Sequence, residues 1–189
     1  MRIISGTAKG TKLYTLDGLE TRPTLDRVKE SLFNIIFNEI TDSTVLDLFS
    51  GSGAIGLEFA SRGAKKVYLC DKSKDACNII KKNIEKTHLE EKVELLNSDF
   101  VKAIRELKNK KIDIVYLDPP YKTDFVKIAI EELLKTENLT EDTLLIVETD
   151  EEERIINQME KIKGIEIADK RKYGRAYILF LKKINGKEE

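Results

Sequence analysis

The stretch Leu46-Asp47-Leu48-Phe49-Ser50-Gly51-Ser52-Gly53-Ala54-Ile55-Gly56 decides the fold. An apolar, β-branched run from Val45 to Phe49 enters it, and a segment of helical period, Ala54 to Arg62, leaves it. Between them lies G-x-G-x-x-G, a spacing that lets a backbone turn sharply from strand to helix and approach a ligand closely. Alone the motif is weak, because tight strand-to-helix turns use glycine for structural reasons. The chain around it repeats the same alternation, which specifies an α/β fold with a mostly parallel sheet. The further strands are read at Lys66 to Asp71, Val93 to Ser98, Ile112 to Asp118, Thr143 to Thr149, Glu166 to Lys170 and Ala176 to Lys182. The helices are read at Lys74 to Thr87, Phe100 to Leu107, Phe125 to Lys135 and Glu151 to Ile162. The last two strands, separated by Lys172 to Arg175, form a hairpin and put an antiparallel element at the end of the sheet.

Ahead of the first core strand, Thr24 caps a helix with an apolar stripe of Leu25, Val28, Leu32, Phe33, Ile36, Phe37 and Ile40. Arg2 to Ser5 and Thr11 to Thr15, around Gly6 and Gly10, read as a small N-terminal hairpin. The organisation expected is a hairpin extension over residues 1–23 and a Rossmann-like domain over 24–189. With 189 residues, 41% hydrophobic and 35% charged, the chain has enough apolar surface for one sizeable core. No apolar run approaches the roughly 20 residues needed to cross a membrane, and Met1 to Gly10 lacks a signal-peptide core. Cys70 lies in an apolar run and Cys77 in a helical one, without metal or disulfide spacing, so reduced thiols and a cytoplasmic setting are expected. The acidic run Glu151 to Glu153 reads as solvated surface.

Acids around the glycine turn carry the ligand argument. Asp71 ends the next strand, 20 residues after Gly51, where a carboxylate accepts from the ribose hydroxyls of an adenosine ligand; a solvated strand-end acid is the plain alternative. Dinucleotide and S-adenosylmethionine sites share that geometry, and Asp47 separates them. Four residues before Gly51, it would face a pyrophosphate unfavourably but a sulfonium and ammonium favourably. Asp99 suits the adenine amino group and Phe100 the ring face, while a helix N-cap followed by a core aromatic fits that pair equally well. Phe49, Ser50, Gly53 and Lys72 complete the expected cofactor site.

Asp118-Pro119-Pro120-Tyr121 follows the strand Ile112 to Leu117 and holds two of the three prolines of the chain. Such a tetrad belongs at the carboxyl edge of the sheet, beside the glycine turn. Consecutive prolines fix the backbone and remove two N–H donors, leaving carbonyls to accept. An exocyclic amine on a nucleobase is a poor nucleophile because its lone pair is delocalised. Accepting its hydrogens on the Asp118 carboxylate and Pro119 carbonyl favours a pyramidal nitrogen aimed at a methyl donor, and Tyr121 offers a stacking face. An ordinary Pro-Pro turn is the alternative. Neither cysteine sits near a catalytic loop, which excludes thiolate-assisted carbon methylation. His88, the sole histidine, falls at a helix end without partners, and no zinc-like spacing occurs, so no metal is predicted.

The formal charge of -1, from 33 basic and 34 acidic residues, gives no global case for nucleic acid. Locally, Arg2, Lys9 and Lys12 precede any acid, and Lys170, Arg171, Lys172, Arg175, Lys182 and Lys183 form a second basic zone. Arg22-Pro23-Thr24 with Arg27 adds cations at a helix start, where N–H groups favour phosphate. Arg2, Lys9, Arg22, Thr24, Arg27, Arg171 and Arg175 are therefore the candidates for binding RNA, with solvated charge as the alternative. Tyr173-Gly174 reads first as a hairpin turn.

Four stretches carry a family resemblance: Arg2 to Gly6, Thr21 to Asn34, Leu46 to Gly56 with Ser61-Arg62-Gly63-Ala64, and Asp118 to Tyr121. Together they make the chain similar to the RsmD-type 16S rRNA guanine-N2 methyltransferases. The resemblance implies a seven-stranded S-adenosylmethionine-dependent methyltransferase fold and methylation of one guanine N2 in 16S rRNA, within a small-subunit particle. It places Asp47, Gly51 and Gly53 in the cofactor loop, Asp71 at the ribose and Asp118 to Tyr121 at the target amine. The family often has Glu at the position of Asp71. A monomer is expected, since no long exposed apolar helix argues for a dimer. Three other readings compete. A DNA adenine-N6 or cytosine-N4 methyltransferase needs more sequence-reading mass; a nicotinamide oxidoreductase would bind NAD; an RNA-binding assembly module would not need Asp118.

Overall fold

Short strands made of branched and aromatic residues build the centre of the molecule. The computed structural model describes residues 1–15 and 23–184, with side chains from residue 27 onward in the second stretch. In the first half the chain forms helices α1 (Pro23–Ile35) and α2 (Phe37–Ile40), strand β1 (Thr44–Asp47), helix α3 (Ala54–Ser61), strand β2 (Lys66–Asp71), helix α4 (Lys74–Thr87) and strand β3 (Val93–Asn97). The second half gives helix α5 (Phe100–Glu106), strand β4 (Ile114–Leu117), helix α6 (Phe125–Leu134), strand β5 (Leu144–Thr149), helix α7 (Glu152–Met159) and strands β6 (Ile165–Tyr173) and β7 (Ala176–Lys183). The described strands form a seven-stranded sheet in the order β3-β2-β1-β4-β5-β7-β6, a Rossmann-like α/β architecture. Met1–Asp99 and Phe100–Glu189 are its two compact units.

In the first unit β1, β2 and β3 are parallel, with Thr44 opposite Lys66 and Val67 opposite Val93. Val45, Leu46, Val67 and Leu69 are fully buried, as strands covered on both faces require. Helix α3 buries seven of its eight residues, Glu58 and Ser61 among them, so it is covered all round rather than along one stripe. Helix α4 is amphipathic. The Ser73 hydroxyl caps its start by accepting from the Ala76 N–H, and His88 ends it in a left-handed conformation.

The single N-terminal helix read from the stripe is two. Ile36 leaves helical geometry at φ -94 and ψ 17, and the Glu39 N–H reaches back to the Ile36 carbonyl, a tighter turn. Ile36 and Ile40 stay buried on either side of this break, which explains why the apolar spacing continues through it.

The N-terminal hairpin pairs as expected but carries one antiparallel bridge, Arg2 to Lys12, rather than two regular strands. Bonds Ile3 to Thr11, Gly10 to Ile3 and Leu13 to Met1 complete it. Its anchor is helix α3. The Glu58 carboxylate, fully buried, accepts from the Ile4 and Ser5 N–H groups at 2.8 and 2.9 Å and pairs with Lys29 and Arg62 at 3.2 and 2.7 Å. Gly6 lies against the Ser61 carbonyl so closely that a Cβ would stand 1.8 Å from its oxygen.

In the second unit β4 and β5 are parallel, whereas β7 runs antiparallel to both β5 and β6. The β6–β7 turn is Gly174-Arg175, with Gly174 at φ 63, and a bulge interrupts β6 between Ile167 and Asp169. Strand β4 ends at Leu117, one residue earlier than expected. Pro119 has no N–H to offer a ladder and disfavours regular geometry in the residue before it.

Candidate active site

The glycine turn is built by backbone bonds. Ser50 N–H donates to the Cys70 carbonyl at 3.0 Å, and Gly53 N–H returns to the Ser50 carbonyl at 2.7 Å. Gly51 and Gly53 take φ 55 and 79, the left-handed region. Their surroundings differ. A Cβ on Gly51 would meet nothing within 4 Å, so the turn is open there to a close-approaching ligand, whereas one on Gly56 would sit 2.0 Å from a Leu69 methyl. Gly56 is thus a packing glycine.

Asp71, at the end of β2, closes the turn from the other side. One carboxylate oxygen accepts from the Gly51 N–H at 2.9 Å and the other from the Ser73 N–H at 2.8 Å. Its carboxylate is therefore held in place by two backbone donors at the open glycine. Lys72 beside it is exposed, Phe49 half-buried, and Ser50 buried with its hydroxyl on the Asp47 carbonyl at 2.9 Å.

Asp47 is 1% exposed, and its Oδ1 has no hydrogen-bond partner. Burial pushes its carboxyl up to about 7 and the negative Asp71 adds to this, against hydrogen bonds from Ser50, Phe49 and Gly56 that lower it. An acid so placed fits a cationic group, which would supply the missing partner; the anionic end of a dinucleotide would aggravate the charge. The same acids converge on Cys70. Burial lifts that thiol to about 12, with Asp47, Asp71 and Asp99 all raising it against a bond to Ser98, so it is an inert core residue. Asp99 is exposed at the end of this unit.

In the second unit Asp118 is exposed immediately beyond β4, Pro119 is buried and Pro120 exposed. Tyr121 is 61% exposed, an unusual position for a large aromatic. Burial raises its phenol, as do the charges of Asp118, Asp150 and Glu148. Of the two proline carbonyls, that of Pro120 is taken by the Thr123 hydroxyl at 2.8 Å, a local bond that closes the turn. Phe100 is buried and packs on Phe125, ring centroids 5.2 Å apart, at the start of α5.

Sequence reasoning misses the brace behind this tetrad. Lys122 takes a left-handed φ of 61, and its N–H donates to Glu151 Oε2 at 3.0 Å. Arg154 holds that oxygen at 2.9 Å and Asp124 at 2.7 Å, and Gln158 donates to Asp124 at 2.8 Å. Glu151 is therefore a structural partner and not merely solvated surface; an arginine three residues after it is the signal that could have found the pair. Glu148, on β5, accepts from the Tyr116 hydroxyl, and burial raises its carboxyl.

Among the candidates for binding RNA, Arg2, Lys9, Arg27 and Arg175 are exposed. Arg171 is exposed too, but its guanidinium is bound to Asp169 at 2.8 Å. Arg22 lies outside the described residues, as does the side chain of Thr24.

Known proteins agree with this architecture. The family described as Conserved hypothetical protein 95 matches residues 1–182. The Bacillus subtilis protein YlbH is 32% identical over 97% of this chain and 99% of its own. The Haemophilus influenzae Ribosomal RNA small subunit methyltransferase D is 37% identical over 82% of each. Among solved structures, Escherichia coli yhhF superimposes with a TM-score of 0.81 at 28% identity, over 98% of this chain and 99% of that one. A match over nearly the whole length, together with the glycine turn and the Asp-Pro-Pro-Tyr tetrad, means that the chain belongs to the Conserved hypothetical protein 95 family, that of the RsmD-type methyltransferases.

Proposed function

We propose that this protein methylates the exocyclic N2 amine of one guanine of 16S rRNA, the position-966 class, using S-adenosylmethionine. The observation that carries the reading is Asp47: a wholly buried acid with an unpartnered oxygen beneath a glycine turn that is open at Gly51. Relatives named Ribosomal RNA small subunit methyltransferase D support ribosomal RNA as the substrate.

S-adenosylmethionine supplies the methyl already activated on a sulfonium. Asp47 offsets positive charge on the ligand, and Asp71, already oriented by Gly51 and Ser73, accepts from ribose hydroxyls. Phe49, Ser50, Gly53 and Lys72 line the turn, and Asp99 and Phe100 serve the adenine. The Asp118 carboxylate and the Pro119 carbonyl accept the two amine hydrogens. With both hydrogens held by Asp118 and Pro119, the nitrogen would present its lone pair for methyl transfer. The proton then shed by the nitrogen passes to Asp118 and on to water. Tyr121 stacks on the flipped guanine, and the Glu151–Arg154 brace holds the tetrad steady. The enzyme acts as a monomer in the cytoplasm, on a small-subunit particle, with exposed Arg2, Lys9, Arg27 and Arg175 reaching phosphates.

Labelled S-adenosylmethionine and small subunits lacking the modification test this directly. Label is expected on a single guanine N2; label on another base, or only on DNA, rejects the reading. Asp118→Ala should lower the rate at least about a hundredfold with an unchanged circular dichroism spectrum, because the residue is exposed beyond the end of β4.

A further inference from the structure

The Tyr14 side chain, on the second arm of the N-terminal hairpin, plays no part in the site described above. It is 48% exposed, yet its backbone is fixed at both ends by one side chain. The Tyr14 N–H donates to Asn83 Oδ1 at 2.8 Å, and Asn83 Nδ2 donates to the Tyr14 carbonyl at 3.0 Å. Asn83 is fully buried on α4 and also donates to the Ser52 carbonyl of the glycine turn at 2.9 Å. An aromatic ring is therefore presented to solvent from a backbone that cannot move away.

The ring has cationic company. Lys86 Nζ lies 4.2 Å from the ring centroid, and Tyr14, Lys82, Glu85 and Lys86 line a surface cavity of about 460 Å³. Glu85 is the one acid in that lining. Among the described residues, neither Lys82 nor Lys86 is in an ion pair, and neither are Arg2, Lys9 and Lys12 of the adjoining extension. The other basic zone is ion-paired by comparison: Lys170 binds Glu152 and Arg171 binds Asp169.

We infer that Tyr14, Lys82 and Lys86 form a subsite for one unpaired nucleotide of the RNA, its base stacked on the Tyr14 ring and its phosphate between the two lysines. An exposed aromatic ring with a lysine over one face, beside ammonium groups outside any ion pair, is the chemistry that holds single strands, whereas a paired base keeps its faces within the duplex. The inference rests on the proposal that RNA is the substrate. It adds a foothold on the same unit as the glycine turn and joined to it through Asn83.

The test compares Tyr14→Ala, Tyr14→Phe and the double variant Lys82→Ala, Lys86→Ala with the wild-type chain. Against unmethylated small subunits, Tyr14→Ala should raise KM about tenfold with kcat and S-adenosylmethionine affinity unchanged, and Tyr14→Phe should restore KM. Binding of a fluorescein-labelled oligouridylate should follow the same order. In the lysine double variant the dependence of log affinity on log salt should flatten by about 0.7 for each phosphate that is no longer neutralised. Wild-type KM and oligouridylate affinity in Tyr14→Ala would overturn the subsite alone. Should the wild-type chain methylate no ribosomal RNA, the functional reading falls, and the oligouridylate titration still decides the subsite.

Discussion

Asp47 shows how far a single residue can be set against the stability of its fold. Its ordinary carboxyl value near 3.8 is raised to about 7 by burial, so between those values the native chain binds more protons than the unfolded one. Stability therefore falls as pH rises through that window, and the full cost is present above about 7. Asp47→Asn should raise unfolding free energy near pH 8 by up to about 4 kcal/mol and by nothing near pH 4, as read by urea titration. The same variant should lose S-adenosylmethionine binding. In the wild-type protein that affinity should weaken about tenfold between roughly pH 8 and 6, as the acid takes up its proton; calorimetry reads this directly.

Among elements, α3 bears most of the consequence. Its Glu58 holds the N-terminal hairpin and two nearly buried cations at once, Lys29 at 4% and Arg62 at 10% side-chain exposure. Glu58→Gln removes the counter-charge of both cations and should cost about 3 to 5 kcal/mol in urea unfolding, as for other broken buried pairs. Of the hub's partners only Arg62, four residues on, is local; Ile4 and Ser5 lie 54 and 53 positions away, beyond what local sequence foretells. What is legible obeys local rules: β2 and α4 fall on the residues read from their periodicity, because branched apolar runs and a Ser73 cap decide them. The α1–α2 break is illegible, since an apolar spacing that persists across a tight turn looks like one helix. Likewise the glycines and acids of the site stand out as residue types, while the bond from Lys122 to Glu151 depends on which loop packs there.

At the scale of the whole molecule, balanced charge hides segregation. A formal total of -1 coexists with cations on the N-terminal extension and α4 that no described carboxylate neutralises, so local pairing, and not net charge, decides where an anion settles. The antiparallel ending is foreseeable from the short turn at Gly174. That β7 lies between β5 and β6 is not, because the register with β5, Leu144 opposite Lys182, is a long-range pairing. This placement bears on birth of the chain. Translation delivers β5 well before β7, so the rim of Leu144–Thr149 that β7 will cover emerges from the ribosomal tunnel bare and stays so until Ala176–Lys183 follows. A chain lacking residues 176–189 should thus precipitate during expression, measurable by sedimentation of the lysate, and the full chain completes its sheet after its final strand has left the tunnel.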